Sequence, residues 1–429
     1  MRSIGLIGEN LSHSYSKEIH ALLSAPYTYS LCPLPRAALP DFLKTTELSG
    51  FNVTIPYKKE ILPFLSGQSA GAKRLGSVNT VIRTRDGYRG YNTDYAGFSY
   101  MLAQSGLQVS GKKVLVLGNG GVCPTVCAVL ADRGAEVVVI SRRGENNYEN
   151  LERHADARVI VNTTPVGMYP ETGKSPVSLA RFPVLEGVLD LIYNPFETTL
   201  LAEARERGLT AVCGISMLTA QAKQAMLLFS AEPDTLPGEE PSLSCPDADV
   251  ERVTEAMVRS MRNIILIGMP GSGKSTLGRR LAAMLGREFA DADTVFAEKY
   301  GITPAKMITE HGEAAFRDAE HAVLETLCAG SRLVIATGGG CVTREENLAP
   351  MRANGVLLYL DRPVNALSVR GRPISLKTPP AVLYEQREPL YRRFADAVVP
   401  NTGTREETVR ALAAAADDIP YTKRTCDKT

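Results

Sequence analysis

No stretch of this chain stays apolar for the roughly 18 residues that a membrane-crossing helix needs, so no transmembrane span is expected. The N-terminal Met1-Arg-Ser-Ile-Gly-Leu-Ile-Gly8 has too short an apolar run for a secretory signal and reads as a first strand. Charge of one sign is also lacking. Forty-eight Lys and Arg against 47 Asp and Glu leave a net +1, which favours neither nucleic acid nor an anionic membrane as partner. The 8 cysteines form no C-x-x-C pair, so neither a zinc site nor a disulfide framework is expected, and a reducing cytoplasm is the natural compartment. No internal repeat is visible. What remains is ordinary for globular protein, with 44% hydrophobic and 22% charged residues, and 429 residues suffice for two or three domains.

The stretch around which the chain is organised is Gly268-Met-Pro-Gly-Ser-Gly-Lys274-Ser275-Thr276. It follows the apolar run Ile264–Ile267 and precedes Leu277, Leu281 and Leu285, apolar at every fourth position. Strand, glycine loop and helix in that order fit a phosphate-cradling P-loop. Backbone N–H groups of Gly271, Ser272 and Gly273 converge there with the helix N-terminus, Lys274 reaches the β- and γ-phosphates, and Ser275 ligates Mg²⁺ with Thr276 beside it. The chain is therefore expected to bind a nucleoside triphosphate.

Ahead of this loop, the N-terminal third carries clusters of hydroxyls and amides. Ser14 and Ser16 lie in a polar loop and offer two donors to one carboxylate, or else a cap to the helix that follows. Asn52, Thr54 and Pro56 alternate with Phe51, Val53 and Ile55, a strand with one polar face stopped by proline, and Lys58 and Lys59 follow. Gly76-Ser-Val-Asn79-Thr80 and Gly90-Tyr-Asn92-Thr93-Asp94 add further polar groups. In this order, Ser-x-Ser, Asn-Val-Thr-Ile-Pro-x-Lys, Val-Asn-Thr and Asn-Thr-Asp resemble the substrate domain of shikimate dehydrogenases, and the resemblance runs to about residue 230. It implies that Ser14 and Ser16 bind the substrate carboxylate and that Asn52, Thr54, Asn79 and Asp94 hold ring hydroxyls. It also makes Lys58 and Asp94 the catalytic pair. Reducing a ring ketone puts negative charge on its oxygen, and an ammonium beside a carboxylate is a suitable proton donor. Lys59 competes for that role, and only the motif spacing favours Lys58.

Residues 113–140 read as strand, helix and strand around Gly118-Asn119-Gly120-Gly121, a βαβ unit of dinucleotide-binding type in which Cys123 stands where a third glycine or alanine is usual. The second strand ends at Ser141-Arg142-Arg143. No acid stands there for a ribose 2′-hydroxyl, and arginines accommodate a 2′-phosphate, so NADP(H) is expected over NAD. The resemblance places the Asn162 and Tyr193 segments beside the nicotinamide, carries Tyr193 into the substrate pocket, counts Gly214 with the cofactor site, and gives Gln221 to substrate.

Residues 233–260 are rich in proline and acids and read as a linker that resists packing, with a helix from Val250 to Met261. Beyond it come Asp291-Ala-Asp293 at a strand end, Phe316-Arg317-Asp318-Ala-Glu320, Gly338-Gly339-Gly340, Arg370-Gly-Arg372 and Arg387-Glu-Pro-Leu-Tyr391. Two aspartates one residue apart on a strand point the same way. Together with the P-loop, these residues resemble shikimate kinases across about residues 262–415. That resemblance gives Asp293 to the substrate hydroxyls with possible general-base duty, Arg317 and Arg387 to the carboxylate, Gly338, Gly339 and Gly340 to the ring, Asp291 to magnesium through water, Arg370 to adenine, and Arg372 to a closing lid that stabilises the transferring phosphoryl.

The expected architecture is α/β throughout. It comprises an α/β substrate domain over 1–105 with a returning helix near 215–232, a Rossmann-type NADP domain over 106–214, the linker, and a P-loop kinase domain with a parallel sheet over 261–429. The expected function is reduction of 3-dehydroshikimate followed by phosphorylation of shikimate, with NADPH, ATP and Mg²⁺ as cofactors and small molecules as partners. The alternatives are a quinate-using dehydrogenase fused to another small-molecule kinase, or a metabolite sensor. Intact Lys58, Asp94, Lys274 and Asp293 argue against the sensor.

Overall fold

The computed structural model describes residues 2–11, 14–233, 238–367 and 379–420. The chain divides into two compact units. The first comprises Met1–Val166, Ser175–Tyr193 and Glu203–Met257; the second comprises Gly167–Lys174, Asn194–Ala202 and Val258–Thr429.

The first unit holds two sheets. One contains β1 (Arg2–Gly8), β2 (Tyr27–Pro33), β3 (Gly50–Val53), β4 (Gly67–Gln68), β5 (Thr80–Thr84) and β6 (Gly87–Tyr91), in the order β2-β1-β3-β5-β6-β4. β1 pairs parallel with β2 and β3, whereas β5 runs antiparallel to both β3 and β6. Successive side chains of a strand face opposite sides, so the sheet carries two apolar clusters. Ile4, Leu6 and Ile82 pack with Ala225, Leu228 and Phe229 of the helix Ile215–Ser230. Ile7, Phe51, Val53 and Val81 pack with Tyr57 and Ile61 on the other face. The helix from Ile215 thus returns to the first sheet after the second has been built.

That second sheet is wholly parallel: β7 (Lys113–Leu117), β8 (Glu136–Ile140), β9 (Val159–Asn162), β10 (Gly187–Asp190) and β11 (Thr210–Cys213), ordered β11-β10-β9-β7-β8. Continuous apolar runs such as Val114–Leu117 suit strands covered on both faces, and all four of these residues are buried. The order reverses at β7, whose C-terminal end is where a doubly wound sheet opens a ligand crevice.

The second unit repeats this logic with β12 (Asn263–Ile267), β13 (Glu288–Asp291), β14 (Leu333–Ala336), β15 (Gly355–Asp361) and β16 (Ala397–Pro400), all parallel in the order β13-β14-β12-β15-β16. Ile265 and Ile267 belong to one apolar cluster, and Ile264 and Leu266 to the other, so the two faces of β12 are filled alternately. The strand order reverses at β12, and the P-loop leaves from its C-terminal end.

One expected segment differs. The acid- and proline-rich stretch read as a linker is packed: its described residues up to Met257 fall within the first unit. Ala70 N–H donates to Gly238 O over 3.1 Å, and Gln224 Nε2 donates to Pro241 O over 2.5 Å. Leu243 joins Tyr100, Ala220 and Val250 in a small apolar cluster. The helix runs Ala248–Met261, and Thr254 hydrogen-bonds Thr219 over 2.6 Å. A composition that disfavours a core of its own still docks when specific partners face it.

Candidate functional sites

The first site forms where β3 and β6 end and the antiparallel β5 begins. β3 stops at Val53, two residues before the Ile55 to which the alternation runs, and Tyr57–Glu60 make one helical turn. That turn separates the two lysines. Lys58 Nζ donates to Asp94 Oδ2 over 2.6 Å, while Lys59 faces solvent. Asp94 opens the helix Asp94–Gln104 and is 4% exposed. A closely paired ammonium and carboxylate at a water-poor position form a charge-assisted hydrogen bond of the strong kind.

Asn79 is buried beside this pair. Its Oδ1 accepts from Thr93 N–H over 2.8 Å, and its Nδ2 donates to Thr93 Oγ1 over 3.0 Å. Asn52 Nδ2 donates to Thr80 Oγ1 over 3.0 Å, and its Oδ1 accepts from the Tyr29 hydroxyl over 2.8 Å. Tyr29 stacks on the buried His20, their ring centroids 4.2 Å apart, and the Ser16 hydroxyl also interacts with Tyr29. Ser14 Oγ lies 3.3 Å from Ser16 Oγ and accepts the Ser16 N–H over 3.3 Å at the start of the helix Ser16–Leu22, whose N-cap residue Tyr15 makes no side-chain cap bond. Thr54 is half-buried just past β3. Tyr193 meets Tyr15 edge to face with centroids 6.0 Å apart, and burial pushes its hydroxyl pKa up. Gln221, half-buried on the helix Ile215–Ser230, stands against Gly97 of the helix Asp94–Gln104. Tyr29 and His20, which hold Asn52 in place, carry no motif signal in the sequence.

The dinucleotide loop behaves as its spacing predicts. Gly118 has φ +95°, and Asn119, Gly120 and Gly121 are exposed ahead of the helix Cys123–Asp132. Among the described residues, no atom beyond the chain neighbours lies within 4 Å of where a Cβ on Gly120 or Gly121 would stand, so a bulky pyrophosphate fits against bare backbone. Arg142 and Arg143 are exposed beyond β8, where Ser141 Oγ donates to Arg143 O over 2.7 Å. These residues fit an NADP-type cofactor. Gly214 packs its backbone against Leu191 at the start of its helix. Asn162 departs from expectation. Its side chain is fully buried, donating to Asp190 Oδ1 over 3.0 Å and accepting from Thr164 N–H over 3.0 Å. Its side chain shapes the loop after β9 from within.

In the second unit the P-loop closes on itself. Lys274 Nζ donates to Gly268 O over 2.7 Å and to Met269 O over 3.0 Å. Gly273, φ +104°, adopts a left-handed turn that side chains avoid, immediately before the helix Lys274–Leu285. Among the described residues Ser272 Oγ is buried without a hydrogen-bond partner, while Ser275 and Thr276 are exposed at the helix start. An orphaned hydroxyl, a buried lysine and a helix N-terminus converging on one loop fit a triphosphate, and the Ser275 hydroxyl fits a hard cation such as Mg²⁺.

The two aspartates do not share a strand as expected. β13 ends at Asp291, whose Oδ1 accepts from Asp293 N–H over 3.1 Å and so caps the helix Ala292–Tyr300. Asp293 lies in the first turn of that helix. A Cβ on Gly338 would lie 3.3 Å from Asp293 Oδ1 and 2.5 Å from Glu320 Oε1, so the three residues meet. The helix Pro304–Ala329 is interrupted at Gly312, φ +87°, and the new run carries Arg317 and Glu320 one turn apart. Arg317 Nη1 donates to Glu320 Oε2 over 2.6 Å and Nη2 to Glu313 Oε1 over 3.0 Å. Burial pushes the Glu320 carboxyl pKa up against the pull of Arg317. Arg387, 6% exposed, donates to Gly339 O over 3.1 Å, and Tyr391 donates to the same oxygen. A Cβ on Gly340 would sit 2.1 Å from Arg317 Nη2, and one on Gly339 2.6 Å from Pro270 of the P-loop. The three glycines thus let two arginines and the P-loop crowd one backbone. Glu320 is the residue that motif reading passes over, although its i, i+3 spacing from Arg317 is visible in the sequence. Arg370 and Arg372 lie outside the described residues.

Two family models match the chain: the shikimate dehydrogenase substrate binding domain over residues 6–81 and shikimate kinase over residues 270–416. The NADP(+)-dependent shikimate dehydrogenase of Caldanaerobacter subterraneus subsp. tengcongensis is 34% identical over 255 residues, which cover 53% of this chain and 91% of that protein. A chorismate mutase/shikimate 5-dehydrogenase fusion protein from Clostridium acetobutylicum superposes with TM-score 0.54 at 34% identity, covering 60% of this chain and 97% of that one. Shikimate 5-dehydrogenase from Thermus thermophilus, in complex with NADP(H) and shikimate, gives a TM-score of 0.52 at 31% identity over 60% of this chain and 99% of its own. The chain therefore belongs to the shikimate dehydrogenase family, and C-terminal to that part it carries a shikimate kinase domain.

Proposed function

We propose that this chain is a bifunctional enzyme that reduces 3-dehydroshikimate to shikimate and then phosphorylates the shikimate 3-hydroxyl. The observation that carries the reading is the Lys58–Asp94 pair, 2.6 Å apart at the dehydrogenase site, on the same chain as a closed P-loop. Bound NADPH supplies the hydride, and bound MgATP supplies the phosphoryl group. Lys58, as the ammonium, gives its proton to the ketone oxygen as that oxygen gains charge, and Asp94 holds the ammonium in place. Ser14 and Ser16 take the ring carboxylate, and Asn52, Thr54, Asn79, Tyr193 and Gln221 fix the ring. Gly118, Asn119, Gly120, Gly121 and Gly214 seat the dinucleotide, and Ser141, Arg142 and Arg143 its 2′-phosphate.

In the kinase part, Arg317 and Arg387 clamp the substrate carboxylate against Gly338–Gly340, and Glu320 fixes the Arg317 guanidinium. Asp293 accepts the proton of the 3-hydroxyl. Gly271 to Thr276 hold the triphosphate, Ser275 and Asp291 serve magnesium, and Arg370 and Arg372 act on adenine and the transferring phosphoryl. The proposed divisions are a substrate domain over 1–105, the NADP domain over 106–214 and the kinase domain from 261. A cytoplasmic location and small-molecule partners complete the reading, and among the described residues no helix is long and apolar enough to cross a membrane.

The test assays each half alone. Purified chain with 3-dehydroshikimate and NADPH, without ATP, should yield shikimate. With shikimate and MgATP, without NADPH, it should yield shikimate 3-phosphate. Faster reduction of 3-dehydroquinate than of 3-dehydroshikimate in the first assay, or failure of shikimate in the second, contradicts the reading.

A further inference from the structure

The segment Gly238–Asp247 reaches the reductase centre through one side chain. Glu240 Oε1 accepts the backbone N–H of Asn92 over 2.9 Å and also the Ser69 hydroxyl. Asn92 follows β6, is 1% exposed, and lies two residues before Asp94. A backbone N–H at such a depth needs an acceptor, and the carboxylate of Glu240 supplies it. Asn92 in turn sets Asp94. Its Oδ1 accepts from Asp94 N–H over 3.0 Å and from Tyr95 N–H over 3.4 Å, and its Nδ2 donates to Ser77 O over 2.9 Å. Ser69 caps the helix Ala70–Leu75 by accepting from Ala72 N–H over 3.0 Å.

The fit around the carboxylate is built. A Cβ on Gly71 would sit 2.7 Å from Glu240 Oε2, so glycine there leaves its place open. Gly238 O and Pro241 O are each held by donors from the helices beneath, and Leu243 is anchored among Tyr100, Ala220 and Val250. Two backbone anchors and one apolar anchor flank the single carboxylate that enters.

We propose that Glu240 is a positioning residue for the reductase: by holding Asn92 it fixes the first turn of the helix Asp94–Gln104 and hence the Asp94 carboxylate that pairs with Lys58. This rests on the dehydrogenase reading of that pair. The consequence falls on turnover, because proton transfer from Lys58 depends steeply on where Asp94 holds it. It does not fall on NADPH affinity, since among the described residues the contacts of Gly238–Asp247 go to Ser69, Ala70, Asn92, Tyr100, Ala220, Gln224 and Val250, none of them assigned to the cofactor.

The test compares Glu240→Ala and Glu240→Gln in the full chain. The glutamine keeps an oxygen that accepts from Asn92 N–H and Ser69, and the alanine does not. Glu240→Ala should lower kcat for 3-dehydroshikimate reduction about tenfold, the scale of a buried donor left unpaired. KM for NADPH and kinase turnover should change less than twofold, and Glu240→Gln should restore most of the loss. Amide hydrogen exchange across residues 92–96 should quicken in the alanine variant and not in the glutamine one, a readout independent of turnover. Full reductase kcat in Glu240→Ala overturns the inference, as does an equal fall of reductase and kinase. Wild-type chain that leaves NADPH unoxidised contradicts the dehydrogenase reading itself, and is seen before either variant is compared.

Discussion

Burial beneath Tyr29 and Tyr27 pulls the His20 imidazole from its usual range near 6.5 down to about 3, a shift that its hydrogen bond with Asn52 only partly offsets. The folded chain therefore keeps His20 neutral where the unfolded chain takes up a proton. Above pH 6.5 its contribution to stability is complete; as the pH falls toward 3 that contribution is lost, at up to about 1.4 kcal/mol per pH unit. Thermal denaturation of the dehydrogenase unit between pH 7 and pH 4 should show a falling Tm, and His20→Gln should flatten the slope. Equal slopes would mean that other groups carry the acid sensitivity. Lys58 gives a sharper test at this scale. Lys58→Ala should lower reductase kcat by about 10²- to 10⁴-fold, the usual worth of a general acid. Kinase turnover measured on the same preparation should stay unchanged. Near-native reduction by that variant, or an equal defect in Lys59→Ala, would move the proton donor elsewhere.

Loops that follow parallel strands carry most of the proposed chemistry, and they differ in how openly the sequence announces them. The P-loop and the Gly118–Gly121 loop are legible because a buried parallel strand must be continuously apolar, and each run ends on glycines at a helix start. Asp291 and Asp293 read as one strand because their alternation is intact. The chain leaves the strand at Asp291, whose carboxylate caps the next helix, and no pattern of apolar residues reports a cap. The segment after Ala231 reads as a tether because acids and prolines average to a solvated composition. One carboxylate with two donors facing it is a long-range fact that composition does not contain. At this scale, Gly340→Ala should force Arg317 off its backbone seat and raise the kinase KM for shikimate by about tenfold or more, with the KM for ATP little changed. Unchanged shikimate kinetics would show that the guanidinium does not depend on that approach. Replacing Arg142 and Arg143 with alanine should raise the KM for NADPH far more than that for NADH, since a 2′-phosphate distinguishes the two. Equal effects would remove both arginines from cofactor selection.

Across the whole molecule, two units built on the same doubly wound logic place their ligand loops where the strand order reverses, at β7 and at β12. The family matches fall on the same division, with dehydrogenase relatives covering the N-terminal part and the kinase model covering residues 270–416. The product of the first reaction is the substrate of the second, so the two activities are expected to run in sequence on a purified chain. The most direct measurement is one cuvette containing the full chain, 3-dehydroshikimate, NADPH and MgATP, with NADPH followed by absorbance and ADP and shikimate 3-phosphate quantified over time. NADPH should be consumed from the start, ADP should appear after a lag, and both should reach the amount of 3-dehydroshikimate supplied. NADPH loss with no ADP, or ADP formation at the full rate without NADPH, would contradict the bifunctional reading.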